Sequence, residues 1–232
     1  MAQPTYQELL DAGVHFGHLK RKWNPKMAPN IFMEKKGIHI IDLNRTSEHL
    51  ERAANAMRAI AKSGKKIMFV ATKKQARVIV EDAARSVNMP FVTDRWLGGM
   101  MTNFSTIKKS IKKMQNIERM LVDPTVQITK KERLTLSREL ERMNRVLGGI
   151  ANLNKLPSAI FLVDIGHEHL ALQESDRLGI RTFGMVDTNC DPNLVDFAIP
   201  ANDDASRSIA LITSYLVEAI KEGLADRSTK ED

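Results

Sequence analysis

From residue 66 onward the chain alternates short continuous apolar runs with stretches whose apolar residues recur every three or four positions. Residues 66–71 (KIMFVA), 91–92 (FV), 159–163 (AIFLV), 182–186 (TFGMV) and 197–199 (FAI) read as strands. Continuous runs such as IMFVA and AIFLV suit strands covered on both faces of a parallel sheet, since an open face would demand polar alternation. Residues 75–87, 168–178 and 205–223 read as helices between and after them. In the last of these, Ile209, Ile212, Leu216 and Ile220 recur at helical spacing. Upstream, 45–63 is a further helix, closed by Gly64 where left-handed backbone is needed. Thr5 and Glu8 make a capping box for a short first helix. The alternation predicts an α/β fold, a doubly wound parallel sheet of about five strands.

One crossover breaks the rhythm. More than sixty residues separate the second and third of these strands, where one helix would suffice. Residues 104–121 and 130–152 read as two helices joined by VDPTVQIT. Ile107, Ile111, Met114, Ile117 and Leu121 form one narrow stripe, and Leu136, Leu140, Met143 and Leu147 the other. Narrow facing stripes with a short Asp-Pro turn predict an antiparallel coiled-coil hairpin, each arm roughly 25–35 Å long. The chain therefore divides into an α/β body, residues 1–104 and 151–232, and a projecting hairpin inserted at 105–150. The polar tail ADRSTKED is expected to fray.

Charge sharpens this picture. The chain carries a net +7 over 232 residues. Residues 105–155 alone hold +7 and residues 15–37 hold +5, so the remainder is mildly acidic at −5. Two short segments carry more than the whole excess, which points to a polyanion as partner. No apolar run approaches the ~20 residues of a membrane span, and the N-terminus lacks the pattern of a signal peptide. Cys190 is the only cysteine, which excludes an intrachain disulfide and a zinc-finger framework. The cytoplasm is the expected compartment.

Candidate chemistry is thin. The segments after the strands, TKKQAR, DIGHEH and DTNCDP, hold no glycine-rich phosphate cradle. Cys190 lies between acidic residues that oppose thiolate formation, and no serine sits in a nucleophile elbow. His15 and His18, or His167 and His169, could each supply two metal ligands, although short histidine pairs arise readily on surfaces and in cores. Asp187, Asp203 and Asp204 follow the last two strands, so they meet at the carboxyl edge of the sheet. With His18 they would suit a zinc-like divalent cation; the plainer reading is that Asn202 or Asp203 caps the final helix.

Basic clusters are the positive signal. Lys20, Arg21, Lys22 and Lys26 surround Trp23, a combination that can meet phosphates and stack on unpaired bases. Lys35 and Lys36 add charge nearby. Arg95 and Trp96 lie in a second loop, DRWLGGMMTN. Lys108, Lys109, Lys112 and Lys113 make a two-by-two basic face on the hairpin, because positions four apart share a helix side. Lys20, Arg21, Lys22, Trp23, Lys26, Arg95, Trp96, Lys108, Lys109, Lys112 and Lys113 are the candidate RNA contacts.

The segments GVHFGH (13–18), WNPKM (23–27), RWLGGMMTNF (95–104), LGG (147–149), HEHLAL (167–172), VDTNCDP (186–192) and VDFAIPANDDASRSI (195–209) run through nearly the whole chain. In content and order they resemble the bacterial S-two family of small-subunit ribosomal proteins. One departure is Ala201, where that family usually has glycine. The resemblance implies a flavodoxin-like body with a protruding coiled-coil hairpin. It implies a non-catalytic role in the small ribosomal subunit, binding its rRNA beside neighbouring small-subunit proteins. It also implies docking of the S-one mRNA-binding protein where that partner exists, and it brings no required cofactor. Two rival readings stand beside it. One is a flavin- or nucleotide-binding enzyme, suggested by sheet topology alone; the other is an RNA-binding regulator outside the ribosome.

Overall fold

The computed structural model describes residues 3–123, 126 and 128–231. Five parallel strands form the main sheet: β4 (Ile67–Val70), β5 (Phe91–Val92), β6 (Ala159–Val163), β7 (Arg181–Val186) and β8 (Phe197–Pro200), in the order β5-β4-β6-β7-β8. The uninterrupted apolar runs have a simple cause. Ile67 and Phe69 of β4, with Ala159, Phe161 and Val163 of β6, face one core. Met68, Val70, Ile160 and Leu162 face a second. Both faces are covered, so every residue of β4 and β6 is buried.

Helices α2 (Leu43–Lys62), α3 (Arg77–Ser86) and α7 (Ser206–Glu231) supply the first core through Leu50, Met57, Val80, Ile209 and Leu216. Asp42 caps α2 by accepting from the Asn44 N–H, and Gly64 follows its end at φ +71°. The second core takes Ala171 and Leu172 from α6 (His169–Arg177), together with Trp96, Met100 and Met101 from the loop after β5. The short first helix, α1 (Tyr6–Asp11), has the capping box expected of Thr5 and Glu8.

The hairpin consists of α4 (Phe104–Val122) and α5 (Lys130–Leu147). Lys113 pairs with Glu139, and Arg133 donates to the Leu121 carbonyl, so the arms are antiparallel. The Asp-Pro turn reaches into residues 124, 125 and 127, outside the described residues. The arms mainly contact each other, yet Ile107, Ile111, Met114, Leu147 and Ile150 join the second core. The base of the arm is thereby clamped to the body. The second arm ends at Leu147 rather than at 152, in a tight turn over Gly148–Ile150. Gly149 packs so closely that a Cβ there would collide with the Phe91 carbonyl oxygen.

Two features depart from the sequence pattern. Residues 16–41 form a small antiparallel sheet in the order β1-β3-β2, with β1 (Phe16–Leu19), β2 (Ile31–Lys35) and β3 (Ile38–Ile41). The last helix does not stop at Gly223. α7 continues to Glu231, and Asp226 pairs with Arg58 and Lys62 of α2. Among the described residues no helix is long and apolar enough to cross a membrane.

Candidate nucleic-acid interface

The first basic segment is held on the body by backbone bonds. After β1 the chain turns through Lys20–Lys22, and the Asn24 N–H donates to the Thr188 carbonyl at 2.8 Å. The His18 N–H donates to Thr188 Oγ1 at 2.8 Å. Lys20, Arg21, Lys22 and Lys26 all end exposed. Lys20 is spent partly on Glu34 and Lys26 on Asp191, each at 2.6 Å. That hydrogen bond from Lys26 holds the Asp191 carboxyl below its usual range. Arg21 has no ion-pair partner among the described residues. Trp23 packs against His39 with ring centres 5.2 Å apart and keeps 37% of its surface exposed.

The second loop corrects one expectation. Arg95 is exposed, but Trp96 is only 6% exposed and cannot offer its ring to a base. Its indole N–H instead donates to Glu174 Oε1 at 3.0 Å. The same carboxylate accepts the Gly99 N–H at 2.8 Å, and the Met101 N–H, Thr102 N–H and Thr102 hydroxyl at 3.0 Å each. Burial works against the charge of Glu174, but these donors outweigh it and lower its pKa. Glu174, from α6, is thus the post around which the Gly-Gly loop is wound. No local pattern points to it, because it lies 78 residues from Trp96.

On the hairpin the basic face divides. Lys109 and Lys112 are exposed and have no ion-pair partner among the described residues. Lys113 crosses to Glu139 at 2.5 Å. Lys108 is half-buried, sits 5.0 Å from the Phe104 ring centre and donates to the Asn154 carbonyl.

The carboxyl edge of the sheet has the opposite charge. Asp164 follows β6, Asp187 follows β7, and Asp203 and Asp204 follow β8. Lys73, two residues beyond the loop start after β4, places its ammonium 2.7 Å from Asp203, 2.7 Å from Asp204 and 3.1 Å from Asp164. Burial opposes its charge, yet these carboxylates hold its pKa well above the usual lysine range. Burial together with Asp164 and Asp187 pushes the Asp203 carboxyl up. The buried Glu168 accepts the Thr72 N–H and hydroxyl at 2.6 and 2.7 Å.

His18 completes the cluster, with Nδ1 3.0 Å from Asp187 and Nε2 3.5 Å from Asp204. The hydrogen bond to Asp187 raises the imidazole pKa. Of the four candidate metal residues, His18, Asp203 and Asp204 offer donor atoms within 4.8 Å of one another. Asp187 falls outside that trio. Its oxygens are taken by Thr188 and His18, so it orients the imidazole instead. His167 and His169 are exposed and do not join. Asn202 caps the turn into α7 by accepting from Asp204 and Ala205. Ala201 fits without left-handed backbone. Cys190 is buried, and burial pushes its thiol up to about 12, with nearby Asp164 and Asp203 adding to the shift.

Doubly wound sheets usually take nucleotides at this edge. A phosphate arriving here would face Asp164, Asp187, Asp203 and Asp204. The geometry therefore disfavours the nucleotide-enzyme reading and directs a polyanion to the two basic segments.

Comparison with known proteins agrees. The profile of the family described as ribosomal protein S2 matches residues 9–223. The small ribosomal subunit protein uS2 of Chlorobium chlorochromatii is 59% identical over 95% of this chain and 88% of its own length. The uS2 protein of Cytophaga hutchinsonii is 56% identical over 98% of this chain and 90% of its own length. That of Chloroherpeton thalassium is 56% identical over 100% of this chain and 93% of its own length. With the parallel sheet, the hairpin and the basic segments already in place, the chain belongs to the ribosomal protein S2 family.

Proposed function

We propose that this protein is a structural, non-catalytic component of the small ribosomal subunit that binds its rRNA. The contact set is Arg21, Lys22, Trp23, Arg95, Lys109 and Lys112, with Lys20, Lys26, Lys108 and Lys113 in support. The observation that carries this is the separation of charge. The exposed cations cluster on the 20–26 segment, the Arg95 loop and the hairpin, while carboxylates gather at the sheet edge. The names of the relatives support the same reading.

Neighbouring small-subunit proteins are part of the proposal. The small antiparallel sheet exposes Phe16, Leu19, Phe32 and Met33, apolar area suited to a protein neighbour; an S-one protein would be one such partner. No cofactor is required for this role. A zinc-like cation at His18, Asp203 and Asp204 is a further proposal, supported by the buried Asp203 Oδ2, which has no hydrogen-bond partner among the described residues. Lys73 is its direct competitor. Elemental analysis of small subunits carrying wild type or His18→Ala decides it, since equal zinc in both rejects the site.

Binding of the purified chain to small-subunit rRNA, measured across salt concentrations, tests the main reading. Five cations on phosphates give a log–log slope at least as steep as roughly −3.5 to −4.5. A slope near zero overturns it.

A further inference from the structure

At the amino edge of the main sheet, opposite the acidic cluster, lies a groove of about 690 Å³. Its walls come from the residues that lead into β4, β5 and β6 and from the turn that ends the hairpin. Lys65, Lys66, Arg85 and Lys155 line it, and no carboxylate does. Lys65 and Lys155 are exposed and have no ion-pair partner among the described residues. Arg85 is shared with Glu81, which stands outside the lining, and its guanidinium lies 4.8 Å from the Phe91 ring centre. Lys66 donates to the Asn88 carbonyl at 2.7 Å.

The floor is apolar, made by Met89, Pro90, Phe91, Leu153 and Leu156. Leu156 leaves 39% of its surface exposed there. Around this floor stand three exposed amides, Asn88, Asn152 and Asn154. Gly149 seats the turn directly on β5, which fixes the wall beside the floor. Beside the groove, Lys108 of the hairpin donates to the carbonyl of Asn154. Lys112, one helical turn further on, extends the same basic track.

We propose that this groove is a second RNA site, taking one unpaired nucleotide of rRNA and its flanking phosphates. Lys65, Lys66 and Lys155 meet the phosphates. The base lies against Leu156 and the floor, and the asparagine amides read its edge. The proposal rests on the rRNA-binding role above and adds a site to it. A mixed apolar floor with a few amides suits a base, whereas a carboxylate-free cationic rim suits the backbone of a polyanion. Unpaired RNA is favoured over duplex because stacking needs a free base face.

The test uses the full-length chain and two readouts. The first is the salt dependence of rRNA binding by the double variant Lys65→Ala, Lys155→Ala. Losing two phosphate contacts on single-stranded RNA flattens the log–log slope by about 1.4. The second is a thiol-attached photo-crosslinker on Asn152→Cys in reconstituted small subunits, with Ser214→Cys on the exposed side of α7 as the control. Cys190 is buried with a high pKa, so the introduced thiol is the one labelled. The expected result is a crosslink to rRNA from position 152 but not from 214, together with the flatter slope. Crosslinking of position 152 to a protein, or to nothing, overturns the proposal, as does an unchanged slope. If wild type itself binds rRNA without salt dependence, the parent reading fails; if wild type binds normally and only these outcomes fail, the groove alone is wrong.

Discussion

Replacing Glu174 with glutamine probes the post on which the 94–103 loop is wound. The carboxylate accepts five donors at 2.8–3.0 Å. In the variant, the amide oxygen can keep the Met101 and Thr102 donors, but the new NH2 then faces the Trp96 and Gly99 N–H groups. Each buried donor left without an acceptor costs about 1–3 kcal/mol. Two such groups, plus the lost charge on the remaining bonds, amount to about 4 kcal/mol. For a chain of this size, that lowers Tm by roughly 8–16 °C. Thermal and denaturant unfolding measure the loss, and hydrogen exchange localises it to the Gly99, Met101 and Thr102 amides. The pH dependence has a definite sign. The Glu174 carboxyl is depressed in the folded state, so its stabilisation is full above the ordinary carboxylate pKa. It drains away as pH falls through the folded value. Glu174→Gln must therefore flatten the acid limb of the stability profile. A loss below about 1 kcal/mol with unchanged exchange would mean that Glu174 does not hold the loop.

Three other perturbations separate the parts of the account. Trp96→Phe should cost about 1 kcal/mol of stability and leave rRNA affinity unchanged, whereas Trp23→Ala should weaken rRNA binding by about 1–3 kcal/mol if a base stacks there; equal affinities in filter binding would remove Trp23 from the interface. Lys73→Met strands Asp164, Asp203 and Asp204 beside one another and should cost about 3–5 kcal/mol in denaturant unfolding, and a neutral result would show that the carboxylates are compensated in another way. Replacing residues 116–136 by a short Gly/Ser turn keeps Ile107, Ile111, Met114, Leu140 and Leu147 in place, so unfolding should stay cooperative by near- and far-ultraviolet circular dichroism; separate transitions would show that the distal arm supports the body.

The sheet and its helices were legible because their signal is local. β4 and β6 announce themselves through unbroken apolar runs, and α7 through Ile209, Ile212, Leu216 and Ile220. The small antiparallel sheet was not legible, since four of the five residues of β2 are exposed and a β-bulge breaks its alternation against β3. The basic segments were found by charge alone, but their division into free and paired cations depends on distant partners. Lys26 meets Asp191, and Lys113 meets Glu139. Trp96 looked like a base-stacking ring because its neighbours are Arg95 and a glycine pair; only the fold reveals that Glu174 buries it. Lys73 carries no local signal for the same reason, since Asp164 and Asp203 lie 91 and 130 residues further on.

If RNA contacts hold this chain on the small ribosomal subunit, its stoichiometry on subunits isolated through a gradient, in moderate and then in high salt, reports them. One copy per subunit is expected at moderate salt. Arg21→Ala, Lys22→Ala, Lys109→Ala and Lys112→Ala together should release the chain at lower salt than wild type. Recovery of wild type in the free fraction at moderate salt would rule out RNA contacts as what holds the chain on the subunit.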